Sequence, residues 1–355
     1  DVFEAYMTST LKQSIYKEDK ILKAVYTPLY GAGRKCVTTA LARDGFDVHV
    51  VKEQENPNGD FPTCPYPNPE IHEALKLGIE QLLNEKADIL IATDPDSDRI
   101  GVVVNQNGEA RILSGNENGL LLFDTIYHAR KDSLKKPGVL VKTIVSTDMA
   151  NVMAKDWGVE VKEVLTGFKY IGEQINIAED KNEIKNYIFG FEESCGYLSN
   201  PDIRDKDGVN ACLLISEVAN YYKLNGKDLY DGLCEIYAKY GNFKSQLFNI
   251  SFNGLGALDK NKKIMEFFRN KKSEKLFKGL ESKYDFISKK WSNKEFVKFS
   301  NLPKSDVIKL YFKNGDTFTI RPSGTEPKVK FYSYFNSDEN LNNFKNVVEE
   351  IKKSF

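Results

Sequence analysis

Three aspartates alternate with other residues in one short loop. Asp94, Asp96 and Asp98 lie between two apolar runs that predict strands. In an extended segment, residues two positions apart point to the same side, so the spacing predicts three carboxylates aimed at one point. Such carboxylates repel one another, and a hard cation with oxygen ligands relieves that repulsion. We therefore expect a Mg2+ site, and the neighbouring Arg99 indicates that a phosphate is handled with the metal.

The acidic loop also allows other interpretations. It is compatible with a solvated acidic turn that caps a helix or hairpin. A calcium-binding EF-hand is excluded, because its glycine position holds Arg99 and its final glutamate position holds Asn105. A metal-dependent phosphatase that uses the first aspartate of D-x-D as nucleophile is another interpretation, but it would explain only this loop.

A second loop, Phe189–Tyr197, follows an apolar run, and we expect a helix after it. Glu192 and Ser194 are two positions apart, so a carboxylate and a hydroxyl could face one ligand and bind vicinal sugar hydroxyls. An ordinary turn before a helix is the alternative. We expect Cys195 to be a packing residue, because no nearby histidine would support a thiolate nucleophile.

A third loop, Arg321–Lys328, joins two predicted strands and contains the components of a phosphate site. Arg321 offers a forked guanidinium, Ser323 and Thr325 offer hydroxyls, and Gly324 allows close approach of the backbone. It is not a Walker A loop, since no G-K-[ST] follows a glycine-rich run into a helix. A rigid turn between strands is the alternative.

The elements that must position these loops change in character along the chain. Helical and strand patterns alternate through the first two thirds, which is typical of α/β layers. Beyond residue 241 the pattern becomes amphipathic strands, including a hairpin over 307–320, around a lysine-rich helical middle. We expect the lysine-rich stretch 271–290 to be a solvated surface rather than a nucleic-acid-binding arm. We predict two successive α/β mixed-sheet domains, at 1–108 and 109–241, and a smaller α+β domain at 242–355.

Composition and charge narrow the classes of function. The chain has 50 basic and 51 acidic side chains, so no overall field favours nucleic acid or an anionic membrane. No apolar run approaches the roughly 20 residues that span a bilayer, and the start resembles no export signal. Five scattered cysteines contain no C-x-x-C pair. We expect a cytoplasmic protein with neither nucleic-acid nor membrane partners, and zinc is not expected.

With its three loops, the chain closely resembles the α-D-phosphohexomutases, the phosphoglucomutase and phosphomannomutase superfamily. The resemblance covers nearly the whole chain and rests on eight motifs in the family's order. They are Thr27–Gly31, Asp94–Arg99, Gly115–Glu117, Lys142–Asp148, Thr166–Lys169, Phe189–Tyr197, Asp205–Gly208 and Arg321–Pro327.

The resemblance implies a role for each loop. Asp94, Asp96 and Asp98 would bind Mg2+, and Arg99 would act as a catalytic residue at the reacting phosphate. Substrate binding would use two further groups of residues: Glu192 and Ser194 for the sugar hydroxyls, with Lys169 and Lys206 assisting, and Arg321, Ser323, Gly324 and Thr325 for the phosphate that is not reacting.

The family's phosphorylated serine lies in a first domain, in a Thr-Ala-Ser-His-Asn-Pro-like segment that these residues do not contain. We therefore expect domains two to four of such an enzyme, with Asp1 as a truncation point and the missing N-terminal domain as a partner. The resemblance implies conversion of hexose 1-phosphate to hexose 6-phosphate, with glucose favoured, through a hexose 1,6-bisphosphate. Alone, the chain would be inactive. A phosphomannomutase and a non-catalytic phosphosugar-binding module are the alternatives.

Overall fold

The computed structural model describes residues 1–134, 137–241, 243–252, 256–292, 299, 301–323 and 327–354. By their internal contacts they form two compact units, Asp1–Lys239 and Tyr240–Phe355. Each unit is described by itself.

The first sheet of the first unit is mixed, with strand order β2-β1-β3-β4-β5. Its strands are β1 (Lys23–Thr27), β2 (Asp47–Val50), β3 (Ile89–Thr93), β4 (Ile100–Gln106) and β5 (Glu109–Leu113), and its helices are α1 (Val2–Leu11), α2 (Gly33–Asp44) and α3 (His72–Asn84). Strand β1 pairs in parallel with β2 and β3, whereas β4 and β5 are antiparallel. The carboxyl ends of β1 and β3 therefore lie at one edge, where open α/β sheets bind ligands.

The second sheet has the order β7-β6-β8-β9 and is also mixed. Its strands are β6 (Val139–Thr143), β7 (Glu160–Val164), β8 (Tyr187–Glu192) and β9 (Gly196–Leu198), and its helices are α4 (Gly115–Arg130), α5 (Met149–Trp157), α6 (Lys169–Asp180), α7 (Gly208–Leu224) and α8 (Leu229–Tyr240). Only β9 runs antiparallel. A capping box between Ser114 and Glu117 fixes the start of α4.

Helix α7 joins the two sheets into one unit. It is buried on nearly all sides and packs against α1, α2 and α4. A helix that is largely apolar around its whole circumference needs neighbours on every side, and here they come from both sheets. The loops at the two sheet edges are therefore held in one body.

The second unit is one antiparallel sheet with helices, in the order β10-β15-β14-β13-β11-β12. Its strands are β10 (Lys244–Ser251), β11 (Leu280–Asp285), β12 (Lys290–Trp291), β13 (Ile308–Phe312), β14 (Thr317–Pro322) and β15 (Lys328–Phe335), and its helices are α9 (Ala257–Arg269) and α10 (Asp338–Ser354). The core includes Ile250, Ile264, Phe318 and Phe331 from the sheet and α9, and Phe344 from α10.

The predicted fold class is confirmed, since two mixed α/β sheets with helices are followed by an α+β unit. The bounds of the three domains stay a prediction. The expected helix in this part of the chain is present as α9, and the lysine-rich stretch 271–290 after it forms a short 3-10 helix and then β11. The expectation that this stretch is a solvated surface is wrong at Lys283, which is buried and donates to the carbonyl of Phe268 at 2.9 Å. A lysine there satisfies carbonyls at the end of α9.

In the part of the chain that the structure describes, no helix combines the length and apolar character needed to cross a membrane. All five cysteines are free thiols.

Candidate active site

The acidic loop follows β3 directly and is a tight turn. Asp94 Oδ1 accepts hydrogen bonds from the backbone N–H groups of Asp98 and Arg99, both at 3.0 Å. Ser97 adopts a left-handed conformation with a φ of 61°. The prediction of an extended segment is therefore wrong: the chain turns back on itself, and this turn, rather than a pleat, gathers the acidic residues.

The turn nevertheless brings the three predicted carboxylates together. One oxygen each of Asp94, Asp96 and Asp98 lie within 4.8 Å of one another, and no other such cluster occurs among the described residues. Asp94 is 6% exposed. Burial, with the charges of Asp98 and Asp96, raises the pKa of Asp94 to about 7, against the smaller effect of the backbone N–H of Arg99. A bound divalent cation would offset this repulsion.

Three polar atoms of this loop are buried and make no hydrogen bond within the described ranges. They are Ser97 Oγ, Asp98 Oδ1 and Arg99 Nε. Arg99 Nε lies 3.8 Å from carboxylate oxygens of Asp94 and Asp98. Buried polar atoms without partners are costly, and a metal ion with an anionic ligand would satisfy them. The donor set therefore fits a hard divalent cation beside a phosphate.

Glu192 and Ser194 lie on a hairpin, so the short strand β9 comes between this loop and the helix that was expected after it. Glu192 ends β8, β9 begins at Gly196, and Cys195 has a left-handed φ of 61° between them. Glu192 Oε1 accepts from the N–H of Gly167 at 2.9 Å, and Ser194 Oγ lies 3.4 Å from Glu192 Oε2. Burial, followed by the charge of Glu193, raises the pKa of Glu192.

Lys206 lies between the acidic loop and this hairpin. Its Nζ is 3.0 Å from Asp98 Oδ2. Its stem crosses Gly196, where an added Cβ would lie 2.4 Å from Lys206 Cδ. Burial lowers the pKa of Lys206, but Asp98, Asp205 and Glu192 outweigh burial and raise it. The Lys206 amine is therefore a positively charged group that is fixed where the acidic loop and the hairpin meet.

The two loops also meet through their backbones. The N–H of Ile100, after the acidic loop, donates to the carbonyl of Cys195 in the hairpin at 3.1 Å. The acidic loop also contacts the turn after β1, where the N–H of Ala32 donates to the carbonyl of Pro95 at 2.8 Å. Gly31 lies against Pro95 so closely that a Cβ would be 2.3 Å from Pro95 Cα. The Gly31-Ala32-Gly33 turn thus supports the acidic loop, a role that sequence reasoning missed; the two glycines after β1 are the signal that could have found it.

One predicted residue of the first unit lies apart from this cluster, and four others belong to the second unit. Lys169 is exposed at the start of α6, and no described contact joins it to Glu192 or Lys206; its Nζ lies 5.0 Å from the Tyr170 ring centroid. Arg321 is at the end of β14 in the second unit, where the N–H of Ser323 donates to Lys328 at 2.8 Å and closes the loop base. Gly324 and Thr325 lie outside the described residues.

Family models and a curated relative that match this chain all belong to the same family. Family models described as "Phosphoglucomutase/phosphomannomutase, alpha/beta/alpha domain II", "alpha/beta/alpha domain III" and "C-terminal domain" match residues 4–108, 114–240 and 259–351. A phosphoglucomutase of Staphylococcus aureus strain MSSA476 is 35% identical over 337 residues, covering 93% of this chain and 60% of the relative. The chain thus spans about 60% of the length of this curated relative.

Two solved structures share the fold. The phosphoglucomutase parafusin from Paramecium is 17% identical with a TM-score of 0.69, and the match covers 99% of this chain and 61% of that one. Aspergillus fumigatus N-acetylphosphoglucosamine mutase in complex with GlcNAc-6P and magnesium is 13% identical with a TM-score of 0.56, covering 98% and 69%.

Proposed function

The chain belongs to the phosphoglucomutase/phosphomannomutase family, and from that membership we propose that it forms the metal, sugar and phosphate subsites of a phosphohexomutase. The proposed reaction interconverts hexose 1-phosphate and hexose 6-phosphate through a phosphoserine and a hexose 1,6-bisphosphate. The serine would belong to a first domain, which the three matched models do not include.

The observation that carries this proposal is the meeting of two loops of different chemistry. Lys206 Nζ is 3.0 Å from Asp98 Oδ2 of the acidic loop, the Lys206 stem crosses Gly196 of the hairpin, and the charge of Glu192 in that hairpin helps to raise the pKa of Lys206. A cation site next to a sugar-binding carboxylate suits a substrate whose reacting phosphate is attached to a sugar. A phosphatase based on the acidic loop alone would leave the hairpin and Lys206 without a role.

The residues of this chain would bind, orient and shield the transferring phosphoryl group. Asp94, Asp96 and Asp98 would hold Mg2+, which when bound neutralises negative charge on that group. Arg99 would approach the same phosphate, since among the described residues its Nε makes no hydrogen bond and only long ion pairs of 3.8 Å with Asp94 and Asp98. Lys206 keeps a positive charge at the boundary between phosphate and sugar.

Sugar binding and the distal phosphate would use the remaining predicted residues. Glu192 and Ser194 offer acceptors and a donor for vicinal hydroxyls, with Lys169 assisting from α6. Arg321, Ser323, Gly324 and Thr325 would hold the phosphate that is not reacting. The bisphosphate must reverse its orientation between the two half-reactions. The residues that bind the sugar and the distal phosphate must therefore accept either orientation.

Glucose phosphates are the favoured substrates, supported by the name of the Staphylococcus aureus relative. Glucose and mannose differ at one carbon, so the discrimination depends on how one hydroxyl is bound. Rates of the full-length enzyme with both sugar 1-phosphates decide between them, and a strong preference for mannose 1-phosphate would make a phosphomannomutase the better assignment. We also propose a cytoplasmic location, which the five free thiols support.

The proposal is tested with the purified 355-residue chain. We expect Mg2+-dependent binding of glucose 1,6-bisphosphate and no conversion of glucose 1-phosphate, since no phosphoserine donor is present in these residues. Calorimetry measures the first and a coupled assay for glucose 6-phosphate the second. Failure to bind the bisphosphate would contradict the mutase assignment, whereas turnover would contradict only the inactivity of these residues alone.

A further inference from the structure

The segment Asp205–Gly208 touches both loops of the candidate site. The N–H of Gly208 donates to the carbonyl of Ser97 in the acidic loop at 3.2 Å, and that of Asp207 donates to Tyr197 in β9 at 3.1 Å. Between them, Lys206 Nζ is 3.0 Å from Asp98 Oδ2. Three consecutive residues therefore connect the acidic loop to the hairpin, and a shift of one loop cannot leave this segment unchanged.

Asp207 anchors that segment. It is 5% exposed and is the N-cap of α7, where its Oδ1 accepts from the N–H of Asn210 at 2.9 Å. The same oxygen accepts from the hydroxyl of Tyr6 at 2.7 Å. Tyr6 belongs to α1, so a helix from the start of the chain supplies a hydrogen bond to the residue that follows Lys206.

We propose that Tyr6 is a positioning residue: through Asp207 it fixes Lys206 between the acidic loop and the hairpin, and so couples cation binding at one to phosphosugar binding at the other. This inference rests on the proposed function of both loops. Tyr6 belongs to neither loop, and its hydroxyl bonds the segment that joins them.

The physical basis is the cost of moving a buried carboxylate. Without the Tyr6 hydroxyl, Asp207 keeps its cap of α7 but loses one of two donors to the same oxygen, and a buried charged acceptor with fewer donors shifts toward others. Lys206 and the Gly208 N–H would follow, because they are adjacent in sequence. Coupling between two ligands is reciprocal, so it can be measured from either side.

The test uses Tyr6→Phe, which removes only the hydroxyl, in the 355-residue chain. Calorimetry gives the affinity for glucose 1,6-bisphosphate with and without saturating Mg2+, and the ratio of the two is the coupling. We expect this ratio to fall about fivefold or more in Tyr6→Phe. The matched control is Ser9→Ala, on the same helix, because Ser9 Oγ donates to Asp202 at 3.0 Å rather than to Asp207.

The outcomes separate this inference from the proposed function. An unchanged ratio in Tyr6→Phe overturns it, and so does an equal fall in Ser9→Ala, which would indicate that loosening α1 is sufficient. A parent chain that binds both ligands without coupling also overturns it; such a chain would lack the expected Mg2+ dependence but would still bind the bisphosphate, so the mutase assignment would stand. A parent chain that binds neither ligand contradicts the proposed function itself.

Discussion

Replacing Gly31 with alanine tests how closely the acidic loop depends on the turn after β1. A Cβ on Gly31 would lie 2.3 Å from Cα, 2.5 Å from O and 2.7 Å from C of Pro95. These are backbone atoms, so no side-chain rotation relieves the overlap. The φ of Gly31 is outside the left-handed region, so the effect is steric rather than conformational.

The size of the effect follows from the distances. An ordinary contact begins near 3.4 Å, so the backbones of Gly31 and Pro95 must separate by about 1 Å. Adding a methyl group to a closely packed site costs about 1–3 kcal/mol in free energy of unfolding. Pro95 lies between Asp94 and Asp96, and a misplacement of about 1 Å in a functional site can lower its effectiveness by about 100-fold. We therefore expect both lower stability and a large loss of Mg2+ affinity.

Two measurements check this reasoning. Urea denaturation gives the free energy of unfolding, and calorimetry gives the Mg2+ affinity. Gly59→Ala is the matched control, because a Cβ there meets nothing within 4 Å and its φ is not left-handed. We expect the control to change stability by less than about 0.5 kcal/mol. If Gly31→Ala matched Gly59→Ala in both measurements, the packing argument would be refuted.

Three further predictions concern separate parts of the first unit. Lys142→Met leaves Asp148 and Glu163 without their shared cation and should lower the free energy of unfolding by about 3–5 kcal/mol in urea denaturation; a loss below about 1 kcal/mol would contradict this. Asp96→Ala should lower Mg2+ affinity about tenfold or more at unchanged stability, because Asp96 is exposed; equal affinity would argue against the metal site. Burial raises the pKa of Glu217, so the folded state favours the protonated carboxyl. Its contribution to the free energy of unfolding is fully present below the ordinary pKa of glutamate and is lost as the pH rises through the folded-state pKa. Glu217→Gln cannot ionise, so in urea denaturation the stability of the parent relative to this variant should decrease as the pH rises above 4.5, the ordinary pKa of glutamate. A constant difference would contradict the assignment.

The acidic loop shows what residue types can and cannot reveal. The spacing of Asp94, Asp96 and Asp98 after an apolar run was sufficient to predict that the carboxylates converge, and the repulsion between converging carboxylates then indicated a cation. The geometry was wrong, since it depends on the left-handed Ser97 and on two backbone N–H groups bound to Asp94. Neither is visible in a sequence, because serine adopts that conformation only where tertiary contacts hold it.

The hairpin of Glu192 and Ser194 was misjudged for a different reason. Strand β9 is only Gly196–Leu198, too short to produce an alternating pattern, and its pairing with β8 depends on register. The helix that was expected after the loop is α7, and it begins only at Gly208, beyond β9. The residues were identified correctly, whereas the element that positions them could be recognised only from the pairing.

Residues that hold a site in place are harder to find than those that form it, and Tyr6 shows why. It is one of 18 tyrosines and carries no unusual local pattern. Its hydrogen bond to Asp207 spans 201 positions of sequence. Residues that bind a ligand can be recognised in a sequence, because a cluster of like charges is unfavourable unless a ligand binds there. A single hydroxyl that supports such a site cannot be recognised until its hydrogen-bond partner is known. Substitutions at such residues should therefore change the coupling between ligands more than the affinity for either one, which distinguishes them from the residues of the loops themselves.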